Sequence, residues 1–229
     1  MTLGDLRAAV EKTGLAWRGA FHPEPADNVP AVATGVPTAT MILLGFTGSD
    51  GWRAFAASHE AQDGQADPLD RWSRRIIDDL SVSVGAVALY PFNGPPPPWH
   101  SFLRWGRKCE PLFASPLGML IHPKWGLWHS YRGALMLSER IALPPPEIHV
   151  DPCTVCATKP CLSACPVKAF SNGSFNAGDC RDYLESSDGQ DCRKNNCQAR
   201  RACPVGAEYH YAPDQVAVHM RGFMDGFAT

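Results

Sequence analysis

The sequence predicts a two-domain protein of α+β (α/β) class, on three observations. Short apolar runs with strand character alternate with helical stripes over the first 146 residues. Eight of the nine cysteines then crowd between Cys153 and Cys203, and a triplet, Pro144-Pro-Pro146, separates the two regions. A cysteine-rich stretch of this size buries little hydrocarbon, so the first part must carry its own core. The expected division is 1–146 for a cored domain and 147–229 for the cysteine domain with its C-terminal tail.

In chain order, Thr2 with Asp5 forms a capping-box pattern ahead of Leu6, Ala9 and Val10, and Gly14 reads as the stop of a first helix. Thr38 to Phe46 (TATMILLGF) is continuously apolar and flanked by turn residues, which predicts a buried strand. Trp52 to Glu60 reads as a helix. Asp67-Pro68 reads as an N-cap followed by proline at the first helical position, with Leu69, Trp72, Ile76 and Leu80 as the stripe facing the core. Gly85 stops that helix, and Ala86 to Phe92 reads as a second strand. The run Asn93-Gly-Pro-Pro-Pro-Pro98 must be extended and cannot join a central sheet. Beyond it, Trp99 to Lys108 reads as a helix and Ala134 to Leu143 as a strand, with a Gly- and Trp-rich segment from Leu117 to His129 between them.

The cysteines follow a pattern: Cys153-Thr-Val-Cys156, Cys161 and Cys165-Pro166, then Cys180, Cys192, Cys197 and Cys203-Pro204. Two groups each ending in Cys-Pro are a variant of the run that holds two [4Fe-4S] clusters, in which the Cys-Pro cysteine serves the opposite cluster. On that rule Cys153, Cys156, Cys161 and Cys203 hold one cluster, and Cys165, Cys180, Cys192 and Cys197 the other. A disulfide framework belongs to small secreted domains, and nothing here reads as a secretory leader. Zinc also uses paired cysteines, but Cys-Pro endings are not a zinc-ribbon feature. Cys109 stands apart and reads as an inert, buried thiol.

A net charge of -2 leaves no basic footprint for nucleic acid, and no apolar run is long enough to cross a bilayer. A soluble, cytoplasmic protein with no membrane and no nucleic-acid partner is expected.

Taken together, MILLGF, the helix opening near Asp67, the strand ending in Tyr-Pro-Phe92, the stretch from Leu117-Gly118 through Arg132-Gly133, and CxxC…CP with Cys180-Arg-Asp-Tyr-Leu184 resemble the epoxyqueuosine reductases, relatives of the reductive dehalogenases. The resemblance covers nearly the whole chain, closely in the cysteine region and loosely before it. It implies a nitroreductase-like N-terminal domain that binds cobalamin, and a ferredoxin-like domain whose two [4Fe-4S] clusters reduce the cobalt. The sequence departs from the family in three places. It ends at Thr229 without the helical repeats that hold tRNA. Asn93-Gly94 stands where the family places an aspartate as proton donor, and His122-Pro-Lys-Trp125 replaces a Gly-rich loop.

Two functions of different class follow. One is an oxidoreductase that passes single electrons through the clusters to cobalamin or a small molecule held by the N-terminal domain. The other is a non-catalytic ferredoxin-type carrier with an appended docking domain and no cobalamin. The electron donor expected for either is a low-potential protein such as a flavodoxin or ferredoxin reductase. His122, His129 and Tyr131 are candidates for proton donation or for lining a pocket, although a lone histidine beside Trp is more often structural. Arg132 is a candidate for binding an acidic side chain of a corrinoid, or for pairing with Glu139. Lys159, Lys168, Arg193, Lys194, Arg200 and Arg201 read as a solvated face whose charge also stabilises reduced, anionic clusters.

Opening an epoxide requires an acid within hydrogen-bond reach, and an Asn amide releases no proton. The chain is therefore expected not to convert epoxyqueuosine in tRNA to queuosine when given cobalamin and a low-potential reductant. Mass spectrometry of the tRNA checks this, and turnover at an enzymatic rate would refute it.

Overall fold

The computed structural model describes residues 2–92, 100–145, 147–171 and 173–226. The Asn93–Pro98 run and Trp99 lie outside the described residues, as does Pro146. The described chain forms two compact units. One comprises Met1–Glu110 and His129–Glu147, and the other Pro111–Trp128 and Ile148–Thr229. The single expected division at 146 does not reproduce this partition, because Pro111–Trp128 leaves the first unit and groups with the cysteines. Helices and open antiparallel sheets coexist, so the class is α+β; no parallel pairing of the α/β kind occurs among the described strands.

In the first unit, helix α1 (Leu3–Glu11) opens on the expected capping box. The Asp5 N–H donates to Thr2 Oγ1 (3.2 Å) and the Thr2 N–H to Asp5 Oδ2 (2.9 Å). Strands β1 (Ala16–Phe21) and β2 (Thr40–Thr47) follow, then α2 (Trp52–Ala56), α3 (Pro68–Val84), β3 (Val87–Leu89) and α4 (Phe102–Cys109). The chain passes through β4 (Phe113–Ala114) and β5 (Leu120–Ile121) of the second unit and returns as β6 (His129–Leu137). The sheet order is β1-β2-β6-β3. Every residue of β2 is buried, as its continuous apolar sequence predicts.

Several elements differ from the sequence reading. Asp67 occupies the N-cap position of α3 but in a left-handed conformation (φ 50), with no side-chain capping bond, so Pro68 alone carries the start signal. The buried stripe of α3 runs through Leu69, Trp72, Ile77, Leu80 and Val84, with Ile77 rather than Ile76 in the core. The sheet decides between these adjacent isoleucines, since α3 packs on β6 and β3. Gly85 ends the helix at φ 67, a conformation that costs glycine little. β3 stops at Leu89 rather than reaching Phe92. Pro91 has no N–H for a ladder, and Tyr90 turns onto α3, its hydroxyl donating to Asp78 Oδ1 (2.5 Å). β6 covers His129–Leu137 instead of Ala134–Leu143, because it pairs with β2 from Thr40↔Leu137 to Thr47↔His129. The helix expected over Trp52–Glu60 ends at Ala56, and Glu60 is buried against Arg75.

The second unit holds β4, β5 and the cysteine region: α5 (Pro152–Val155), α6 (Pro160–Ser163), hairpin β7 (Phe170–Ser171) and β8 (Ser174–Phe175), α7 (Ala177–Glu185), α8 (Gln190–Asn195), α9 (Gln198–Arg201) and α10 (Pro213–Asp225). Leu117, Ile121 and Leu127 form one apolar core with Cys161, Cys165, Ala169, Ala199 and Cys203. That core is why 111–128 belongs here. No helix among the described residues is long and apolar enough to cross a membrane.

Glu60 illustrates how the first unit holds its charges. Arg75 donates through Nε (2.6 Å) and Nη2 (3.0 Å) to the Glu60 carboxylate, and these bonds hold its pKa at about 2 against the opposing effect of burial. A depressed carboxyl stabilises the fold above its unfolded pKa and loses that contribution as pH falls through the folded value. Glu60→Gln is expected to lower stability by roughly 1–2 kcal/mol at pH 7, with the difference from wild type shrinking between pH 4.5 and 2. Urea titrations at several pH values measure it, and a pH-independent difference would refute it.

Candidate metal centre

The cysteines are carried on or beside short helices. Cys153 lies in α5, whose N-cap Asp151 accepts from the Cys153 N–H (2.8 Å). Cys161 lies in α6, and Cys165 and Cys203 follow α6 and α9, each just before a proline. Cys180 lies in α7, Cys192 in α8, and Cys197 immediately precedes α9. Pro152 and Pro160 each open a turn at the first helical position.

The thiols influence one another within two sets. Burial, then the Asp151 carboxylate and the thiols of Cys203, Cys161 and Cys156, pushes Cys153 up to about 11. Burial also raises Cys161, followed by Cys203 and Cys156, and it raises Cys203, to which Cys156 adds while the Val205 N–H opposes. In the second set, burial and then Cys197, Cys165 and Cys192 push Cys180 up to about 11. Cys192 is raised by burial and by Cys197, and Cys197 by burial and by Cys165. Backbone N–H groups oppose these shifts: Gln198 donates towards Cys192, and Arg200 and Ala199 towards Cys197. The Ala169 N–H donates to Cys165 Sγ (3.3 Å).

The raised thiols, Cys153, Cys161, Cys180, Cys192, Cys197 and Cys203, would be favoured as thiolates by a positive centre beside them. Among the described residues no three or more His, Cys, Asp or Glu side chains converge so as to hold a single metal ion. One ion draws thiolates to about 2.3 Å from a shared point, whereas a polynuclear cluster takes each thiolate at a separate corner.

The segment 111–128 closes over this region. Gly126 has φ +57, and a Cβ there would lie 1.9 Å from the Val205 carbonyl oxygen, beside Cys203. His122 does not project from an open loop: it is buried, stacks on Trp125 with centroids 3.9 Å apart, and its Nδ1 accepts from the Lys124 N–H (3.0 Å).

The other candidates belong to β6. His129 Nδ1 lies 3.1 Å from Arg18 Nη2. Tyr131 is buried and donates to Glu110 Oε2 (2.6 Å). Arg132 pairs with Asp70 and donates to Ser73 Oγ (2.9 Å), in place of the expected Glu139. Behind these lies a group the sequence reading missed. Arg18 is 0% exposed and bidentate to Glu110 (2.8 and 2.9 Å), and its Nη1 donates to the Phe46 carbonyl (2.9 Å). A charged residue inside the apolar strand Ala-Trp-Arg-Gly-Ala-Phe21 was the signal for it. Burial raises Glu110 despite Arg18, and it raises the adjacent Cys109 thiol.

Gly126→Ala is expected to destabilise the protein by roughly 1–3 kcal/mol, through a strained φ and the clash with Val205. A lowered urea midpoint checks this, whereas Gly118→Ala, which has the same sign of φ and open space around it, should cost less. Neither a scan against protein-family models nor a search of curated proteins finds a match to this chain.

Proposed function

We propose that this chain is an iron–sulfur redox protein that carries single electrons through two [4Fe-4S] clusters to an acceptor, cobalamin or another small molecule, held by its N-terminal unit. In this reading Cys153, Cys156, Cys161 and Cys203 bind one cluster and Cys165, Cys180, Cys192 and Cys197 the other. The C-terminal unit is ferredoxin-like and the N-terminal one nitroreductase-like. The observation that carries the proposal is the interleaving: Cys203 neighbours the first three cysteines, and Cys165 neighbours Cys180 and Cys197, against sequence order. Two-cluster ferredoxins share their cysteines in the same crossed order, which supports this reading.

The residues fit such a group chemically. They supply eight sulfurs, backbone N–H donors to several of them, and apolar packing of Leu117, Ile121 and Leu127 against Cys161, Cys165 and Cys203. The clusters supply one-electron storage, while the chain sets their environment and spacing. The donor is a low-potential protein of flavodoxin or ferredoxin-reductase type.

A carrier without cobalamin is favoured by one observation. His129, Tyr131 and Arg132 are each held by protein partners in the N-terminal unit, so their polar atoms are engaged within the fold. Adding cobalamin under reducing conditions separates the readings, since a spectral change or co-purified corrinoid indicates the reductase and clusters alone the carrier.

Anaerobically reconstituted protein is expected to hold about eight iron atoms per chain. About four, or zinc in their place, would overturn the two-cluster assignment. Cys203→Ala should lose the cluster of Cys153, Cys156 and Cys161 and keep about four iron atoms, although Cys203 follows Cys197 closely in the chain. Loss of the other cluster's spectrum would disprove the interleaving.

A further inference from the structure

We propose that His122 is a positioning residue for the Cys203 ligand: it braces the turn 122–126, and that turn, pressed against Val205 and Gly206, holds the loop that carries Cys203 to the cluster of Cys153, Cys156 and Cys161. The proposal rests on the two-cluster reading above and deepens it by naming what keeps the crossed ligand in place.

The turn is closed twice over. The His122 N–H donates to the Gly126 carbonyl and the Gly126 N–H to the His122 carbonyl, both at 2.9 Å. Within this turn the His122 Nδ1 accepts from the Lys124 N–H (3.0 Å) and the Trp125 N–H (3.4 Å). A ring nitrogen that accepts carries no proton, so the neutral imidazole keeps its proton on Nε2. The ring is buried and lies against that of Trp125, with centroids 3.9 Å apart and planes at 24°. His-Pro-Lys-Trp is thus a turn folded around its own histidine, whose Nδ1 serves the backbone. An apolar side chain of similar size would keep the packing and lose the acceptor for both N–H groups.

That turn meets the second Cys-Pro turn backbone to backbone. A Cβ on Gly126 would lie 1.9 Å from the Val205 carbonyl oxygen, and one on Gly206 would lie 2.4 Å from the Trp125 carbonyl carbon. Their φ angles, +57 and +72, favour glycine as well. Each turn occupies the space that a side chain would need on the other, and main chain cannot swing aside as the end of a side chain can. Only Pro204 stands between Val205 and Cys203, and its ring fixes φ, so a displacement of Val205 passes to Cys203. On the other side the Cys203 N–H donates to the Arg200 carbonyl (3.3 Å), which ties the residue to the end of α9. Cys203 is held between the two.

Cys153, Cys156 and Cys161 lie close together in the chain and restrict one another, whereas Cys203 reaches their cluster from far along it. Ordering its loop is a separate entropic cost of assembly. A ligand already in place loses less conformational freedom on binding, and the brace at His122 supplies that preorganisation.

The test follows iron in the reconstituted full chain by total iron, by the electron paramagnetic resonance of the dithionite-reduced protein, and by the rate at which the chelator bipyridyl removes iron. Cys203→Ala identifies the spectrum of each cluster. His122→Leu is expected to release the cluster served by Cys203 about tenfold faster than wild type, the effect of leaving backbone N–H groups without their acceptor, and to leave release of the other cluster unchanged. His122→Asn, whose short side chain accepts from the backbone N–H two residues on, should restore the wild-type rate. Gly206→Ala, with His122 intact, should speed release of the same cluster by displacing the turn at Trp125, and it supplies the comparison where His122→Leu does not fold. Wild-type protein without iron would remove the two-cluster reading itself. Two clusters in wild type with unchanged release in His122→Leu, equal acceleration of both clusters in His122→Leu or Gly206→Ala, or His122→Asn behaving as His122→Leu would overturn the positioning role alone.

Discussion

Burial opposes the ionisation of six of the thiols in the C-terminal unit, and it is the largest influence on Cys153 and Cys180, both pushed up to about 11. The C-terminal unit is arranged around that opposition. Short turns opened by proline bring the sulfurs together without a regular core, and the segment 111–128 supplies the hydrocarbon that the cysteine stretch lacks. Backbone N–H groups of Gln198, Ala199, Arg200 and Val205 partly offset the unfavourable charge. In the proposed reading, iron would be the compensating positive centre.

The N-terminal unit solves a different problem by a related means. Arg18 lies inside the sheet and would be prohibitive alone, but Glu110 takes it in a bidentate grip while Phe46 and His129 engage its remaining nitrogens. Tyr131 completes the carboxylate's shell. Removing one member of such a pair strands a buried charge, at a cost of about 3–5 kcal/mol. The network joins β1, β2, β6 and the end of α4. It ties the sheet to the end of the helix, and it engages His129 and Tyr131 through Arg18 and Glu110.

Both units use arginine where planar geometry matters. Arg18 presents its fork to a carboxylate, and Arg200 lies against the Trp128 and Tyr211 rings, which meet edge to face, while donating to a carbonyl. A lysine would deliver charge in either place but neither the bidentate grip nor the stack. Arg200 packs with the aromatic residues Trp128 and Tyr211, unlike the exposed Lys194 near it in sequence.

By itself the sequence determined the local features whose causes are local: the Thr2–Asp5 capping box, the buried strand of TMILLGF, the proline start of α3 and its Gly85 stop. Tertiary structure decided what depends on partners. The choice of Ile77 over Ile76 and the length of β6 were settled by the faces they pack against. The membership of 111–128 in the second unit and the burial of Arg18 were settled by partners distant in the chain, such as Cys203 with Leu127 in one apolar core and Glu110 with Arg18 in an ion pair. Periodicity and capping report only the nearest turn of chain, whereas a buried charge or a covering segment is stable only once its distant partner is in place.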